Sequence, residues 1–256
     1  TGVQTCALPI LLGYAALPWL LLVVYRGIRR CRGRGSWWWP GAFALIFTSI
    51  GGGVNAAVVG WMCLGPLVLL LYEPAMGHVR WRDSLSFLWR AFVVSIVVSA
   101  WWIVPLLVHV KYGIDFLQFT EQPRTIWDTN SVTESLRLMG YWTSYIGVGF
   151  NGIRRPFFTG GGTFLFAIPV LLATLALPAL ATVGLAWTRR WRYASLFLAL
   201  LLAGVVVMAA GFPDGTPLRG GMLWVYEHIV VLRFMRTVNK AAPLVALGMS
   251  GLLGLA

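Results

Sequence analysis

The chain has 256 residues, 59% of them hydrophobic and 11% charged, with a mean hydropathy of +0.78. A soluble domain has about 25% charged residues, so a soluble globular fold is excluded, and the lack of strands alternating polar and apolar residues excludes an outer-membrane barrel. The formal net charge of +12 does not indicate nucleic acid, because the arginines gather in short segments between apolar runs and no recognition helix or aromatic RNA-binding motif accompanies them.

In chain order, the opening TGVQTCALPI reads as the translation of a sequencing adapter. Residues 1–10 are therefore expected to be a scar, and residues 11–256 part of a longer chain cut at both ends. Seven apolar segments follow, at about 11–25, 38–50, 54–72, 91–110, 163–187, 193–212 and 241–256. A helix needs about 20 residues to cross the hydrocarbon core, so the second is short. The expected fold class is all-α, a polytopic transmembrane helical bundle of about seven spans.

Arginine placement orients the segments. Arg26, Arg29, Arg30, Arg32 and Arg34, then Arg80, Arg82 and Arg90, then Arg189, Arg190 and Arg192 fall on one side, accompanied by Asp83 and, at the margin, Glu73. Basic short loops mark the cytoplasmic side, so the expected location is the plasma membrane, multi-pass, with residues 111–162 and 213–240 extracytoplasmic. Trp37, Trp38, Trp39, Trp89, Trp187 and Trp191 fall near the ends of predicted spans, where interfacial tryptophans collect.

The first long loop has the signs of structure. Ser131-Val132-Thr133-Glu134 fits a capping box, with Ser and Glu side chains each satisfying the other's backbone N–H. Val132, Leu136, Met139, Trp142 and Ile146 then recur at helical spacing, with Thr133, Arg137 and Ser144 off that face, which predicts an amphipathic helix. A second short element is predicted over 222–232.

Candidate chemistry is sparse. Gly51-Gly52-Gly53-Val54-Asn55-Ala56 loosely matches a dinucleotide fingerprint, but no strand precedes it; a tight turn with Asn55 as cap, or Asn55 facing a substrate cavity, fits better. Asp115, Glu121, Asp128 and Glu134 gather in the long loop. Glu134 has a role as capping partner and Asp128 as a loop solvator, which leaves Glu121 as the carboxylate that could line a site. Arg154, Arg155, Arg233, Arg236 and Lys240 are cations on the predicted extracytoplasmic side, against the positive-inside trend. A lipid phosphate would account for them, as would pairing with loop carboxylates or anionic headgroups. His78, His109 and His228 are scattered, and Cys6, Cys31 and Cys63 have neither metal-ligand spacing nor obvious pairing. No cofactor is evident, and the need for a divalent metal is open.

Gly51 to Ala57, the run YGIDFLQFTEQPRTIWDTNSVTESLRLMGYW from Tyr112 to Trp142, and Arg236-Thr237-Val238-Asn239-Lys240 together resemble the actinobacterial alpha-(1→3)-arabinofuranosyltransferases of the GT-C membrane glycosyltransferase fold. The third stretch is similar to a family segment R-N-V-H-K and departs from it at Thr237 and Asn239. The resemblance spans essentially all of the chain after residue 10 and implies a GT-C-like bundle. It further implies a polyprenyl-phosphate-linked sugar donor, decaprenyl-phosphoryl-arabinofuranose, and a cell-envelope arabinan as the glycan acceptor, joined through an α-1,3 linkage. Asn55, Glu121, Arg154, Arg155, Arg236 and Lys240 are the candidate substrate-binding residues. The catalytic carboxylate is expected on a loop upstream of this fragment. The lipid bilayer is an expected partner and nucleic acid is not. The competing readings are another GT-C transferase, such as a mannosyltransferase using a polyprenyl-phosphate sugar, and a lipid transporter or flippase. Transporters place charges near the bilayer midplane, whereas here the charges stand at the rims of the spans.

Overall fold

Long runs of Leu, Val, Ala and Ile leave the backbone little choice in an apolar environment but to satisfy its own hydrogen bonds as helix. The computed structural model describes residues 2–30, 37–50, 55–113, 121–150, 153–156, 159–188 and 191–254. They divide into two units, Thr1–Leu117 and Gln118–Ala256.

The first unit contains α1 (Gly2–Arg30), α2 (Trp38–Ser49), α3 (Ala56–Met62), α4 (Leu64–Ala75) and α5 (Trp81–Tyr112). Helix α1 packs against all four others. Its buried Leu17, Leu20, Val24 and Ile28 recur every three or four residues and so share one face. The Trp101 indole on α5 donates to the Thr48 hydroxyl on α2 at 3.3 Å. Arg29 ties α1 to α4 through a 2.8 Å ion pair with the fully buried carboxylate of Glu73, and His78 Nδ1 lies 3.5 Å from the same oxygen. Glu73, placed by the sequence at the margin of the arginine-bearing loops, is thus a buried counter-charge.

The second unit contains α6 (Pro123–Trp127), α7 (Val132–Leu136), a hairpin of β1 (Gly147–Phe150) and β2 (Ile153–Pro156), α8 (Thr159–Phe166), α9 (Ile168–Thr188), α10 (Ala194–Ala209), α11 (Pro217–His228) and α12 (Ala242–Leu253). Tight 3-10 turns cover Trp142–Tyr145, Val230–Arg236 and Val238–Ala241. Helices α10 and α12 form its closest packing. A methyl at Gly248 would come 2.7 Å from the Leu201 amide nitrogen, and one at Gly204 2.6 Å from a Val245 methyl. The backbones approach as closely as they do because those side chains are hydrogen, as apolar helix pairs in membranes favour.

Four helical stretches are long and apolar enough to cross a membrane: Leu11–Arg30, Ala57–Ala75, Trp81–Tyr112 and Ile168–Trp187. Segment 54–72 becomes two helices meeting at Cys63, and segment 163–187 becomes α8 and α9. The other three apolar segments form shorter helices: α2 has 12 residues, α10 has 16 and α12 has 12. Trp37, Trp38, Trp89, Trp187 and Trp191 are exposed. The hairpin, with Gly149 opposite Arg154 and Val148 opposite Arg155, was not anticipated among otherwise helical elements. The glycine turn at 51–54 and Asp115 lie outside the described residues, as do Cys31, Arg32, Arg34, Arg189 and Arg190.

The loop helix is shorter than its apolar spacing predicts. Ser131 Oγ does accept from the Glu134 amide at 3.2 Å, so α7 starts where the capping motif says. It ends at Leu136 because Leu138 adopts φ +57° and Gly140 φ +93°. The Met139 amide donates to Glu134 O and the Leu138 amide to Ser135 O, the pairing of a Schellman stop. Arg137, expected off the apolar face, is buried. It donates to Glu134 Oε1 at 2.7 Å, to the Thr174 hydroxyl at 2.9 Å and to Phe164 O at 2.5 Å. The other Glu134 oxygen accepts from Tyr145 at 2.6 Å. Burial, with help from that carboxylate, raises the Tyr145 phenol above its ordinary range. The Glu134 carboxylate thus binds α7 to later parts of the unit instead of reaching back to the helix start.

Candidate functional site

Three of the six predicted substrate-binding residues come together in the second unit. Pro123 at the first position of α6 fits a helix start, since it lacks the N–H that would go unpaired there. The helix brings in Trp127, which is fully buried, and its indole N–H donates to the main-chain carbonyl of Arg236 at 3.0 Å. Arg236, itself buried, donates from Nη1 to the carbonyl of Glu121, just before α6, at 3.1 Å. The two 3-10 turns bring Arg236 and Lys240 to the start of α12. Burial lowers the Lys240 amine below its ordinary value; the nearby Glu121 carboxylate opposes that shift and the Arg236 guanidinium adds to it. Glu121, Arg236 and Lys240 are therefore electrostatically coupled, two cations and one acid at the entrance to an apolar helix.

Asn239, between the two cations, was noted in the sequence only as a departure from the family segment. Its Oδ1 is buried without a hydrogen-bond partner, and a buried orphan acceptor is unusual enough to mark a place where a donor group is wanted. Trp127 was also missed, because nothing local distinguishes it from an interfacial tryptophan.

The site is braced by a second buried cation that sequence reading did not single out. Arg219 on α11 donates to Asp128 at 2.6 Å and to Gly211 O at 2.8 Å, and its Nε stands 3.0 Å from Asp214. Its guanidinium carbon lies 5.9 Å from the centre of the Trp127 ring, within range of a cation–π contact. Asp128 is thus an ion-pair partner, not a mere loop solvator. A methyl at Gly211 would come 2.4 Å from the Trp127 ring, so glycine is what lets the indole rest on the end of α10.

The remaining predictions land elsewhere. Asn55 belongs to the first unit and caps α3, its side chain accepting from the Val58 amide at 3.4 Å. Arg154 and Arg155 lie on β2 of the hairpin, where the described structure gives their backbone pairing. His228 stacks on Trp224 with ring centres 4.8 Å apart, and His109 lies in the last turn of α5. Among the described residues, no three His, Cys, Asp or Glu side chains converge as metal ligands would.

Two curated relatives are similar to the chain. Alpha-(1->3)-arabinofuranosyltransferase of Mycolicibacterium smegmatis is 27% identical over 206 residues, covering 77% of this chain and 13% of the relative. The protein of the same name from Mycobacterium tuberculosis is 26% identical over 257 residues, covering 93% of this chain and 16% of the relative. The chain therefore spans less than a fifth of the length of either relative. No solved structure matches it. A family model described as "Alpha-(1->3)-arabinofuranosyltransferase, N-terminal GT-C domain" matches residues 8–256. On a match of that extent, the chain belongs to the family of alpha-(1→3)-arabinofuranosyltransferase N-terminal GT-C domains.

Proposed function

We propose that the chain is part of a multi-pass membrane glycosyltransferase that moves arabinofuranose from a decaprenyl-phosphate donor to a 3-hydroxyl of a cell-envelope arabinan. The arginine asymmetry supports an orientation with the basic short loops in the cytoplasm and residues 111–162 and 213–240 outside. The observation that carries the reading is the convergence of Glu121, Arg236 and Lys240 where α12 begins. A polyprenyl tail would run along the apolar helices while its phosphate met the two cations at their rim.

In this reading Arg236 offers a planar guanidinium edge and Lys240 a point charge to the phosphate. Negative charge on the leaving phosphate grows as the glycosidic bond breaks, so cations held in place beforehand favour the transition state over the bound donor. Glu121 holds the Arg236 guanidinium through its carbonyl and moderates the paired positive charge through its carboxylate. Asn239 Oδ1 is suited to accept from a sugar hydroxyl. Asn55, Arg154 and Arg155 remain candidates for contacts farther along donor or acceptor. The general base is assigned to a carboxylate on a loop upstream of these residues.

The test is steady-state kinetics of the full-length enzyme with the lipid-linked donor. Arg236→Ala should lower kcat and raise the donor KM, and Arg236→Lys should recover only part of the loss because the fork is gone. If Arg236→Ala and Lys240→Ala both keep wild-type kinetics, the phosphate role is wrong. Turnover of a mannosyl donor in place of the arabinosyl donor would overturn the sugar assignment.

A further inference from the structure

The first unit has a cationic cluster that the proposed transfer does not use. Arg26 and Arg30, one turn apart on α1, place their guanidinium carbons 5.9 and 5.7 Å from the centre of the same Trp39 ring. Arg90 on α5 lies 5.5 Å from the centre of the Trp37 ring. Arg29, between the first two in sequence, is already neutralised by Glu73. Among the described residues, Arg26, Arg30 and Arg90 have no carboxylate partner, and Arg90 Nη1 is buried with no hydrogen-bond acceptor at all.

A guanidinium held against an aromatic face still has its N–H edge free to meet an anion. A buried Nη1 without an acceptor is a donor awaiting one. Depth narrows the ligand. Arg26 follows the apolar run 11–25 and Arg90 precedes the apolar run 91–110, so both stand at the hydrocarbon edge, where lipid phosphates lie. Trp38 is 76% exposed beside them, a large apolar surface that an acyl chain would cover. We propose that Arg26, Arg30 and Arg90, backed by Trp37 and Trp39, form a seat for the phosphate of an anionic phospholipid.

The test is native mass spectrometry of the full-length protein with phosphatidylglycerol or phosphatidylcholine. The wild type should retain phosphatidylglycerol in preference to phosphatidylcholine. Basic residues at an anionic surface each contribute about fivefold, so Arg26→Gln/Arg30→Gln/Arg90→Gln should weaken retention on the order of a hundredfold. Arg80→Gln/Arg82→Gln, which removes two charges outside the cluster, should weaken retention clearly less than Arg26→Gln/Arg30→Gln, which removes two within it. Excess inorganic phosphate should not displace the lipid. Equal retention of both lipids, an unaffected triple variant, or an equal loss in the Arg80/Arg82 control would overturn the seat. Displacement by inorganic phosphate would overturn the lipid assignment. Should the triple variant fail to fold, Arg26→Gln/Arg30→Gln decides, since both side chains are exposed; it should weaken retention about 25-fold, and retention equal to wild type would overturn the proposal.

Discussion

The indole of Trp127 and the main-chain carbonyl of Arg236, 109 residues apart, share a buried hydrogen bond of 3.0 Å. It fixes the backbone of the turn that bears the cations. Trp127→Phe keeps most of the ring volume but leaves that carbonyl unpaired, at a cost of about 1–3 kcal/mol. Thermal unfolding in detergent should register the loss, and donor KM should rise as the turn loosens. Unchanged values of both would mean that the turn is held by other contacts.

The depressed pKa of Lys240 gives a pH signature. Its folded pKa lies below the ordinary 10.5, so between those two values the folded protein binds fewer protons than the unfolded chain, and the apoprotein gains stability as pH rises through that window. Phosphate binding works in the other direction, since the anion favours the protonated amine. Donor affinity should therefore fall as pH rises through the folded pKa of Lys240, and Lys240→Arg should abolish the fall. A pH profile identical in wild type and Lys240→Arg would remove Lys240 from the phosphate site.

Ser131→Ala removes the side chain that accepts from the Glu134 amide. A lost N-cap costs about 0.5–2 kcal/mol, and amide exchange across 132–137 should quicken accordingly. The ion pair of Glu134 with Arg137 should keep exchange at Arg137 slower than at Val132. Exchange rates equal to wild type throughout would show that the cap contributes nothing.

Orientation can be read by thiol labelling in a background without native cysteines. Arg82, Tyr141 and Leu218 are all exposed. In intact cells an impermeant reagent should label Tyr141→Cys and Leu218→Cys and leave Arg82→Cys unlabelled until the membrane is opened. The reverse pattern would invert the topology.

Much of the helical framework was legible in the sequence because it depends on local composition. Apolar runs gave helices, and Ser131 and Asn55 are caps where their side chains suit that role. What was not legible depends on partners far along the chain. Arg137 and Arg219 look like solvent-facing charges, yet they are buried because Thr174 and Asp128, 37 and 91 residues away, meet them. The stop after α7 escaped notice because it relies on a leucine in a left-handed conformation, which few sequences signal. Of the candidate site, Arg236 and Lys240 were singled out as cations against the expected positive-inside trend, and Glu121 as the loop carboxylate left without another role. Trp127, Asn239 and the bracing Arg219 required the tertiary structure.

Helices α10 and α12 approach closely at Gly204 and Gly248, and each end of the cationic turn is tied to that pair. Lys240 stands two residues before α12, and the carbonyl of Arg236 hangs from Trp127, which rests on Gly211 just past α10. In the proposed reading, a lipid phosphate would therefore meet a turn already held at both ends. The ordering of that turn is, on the same reading, a cost of folding and not of donor binding.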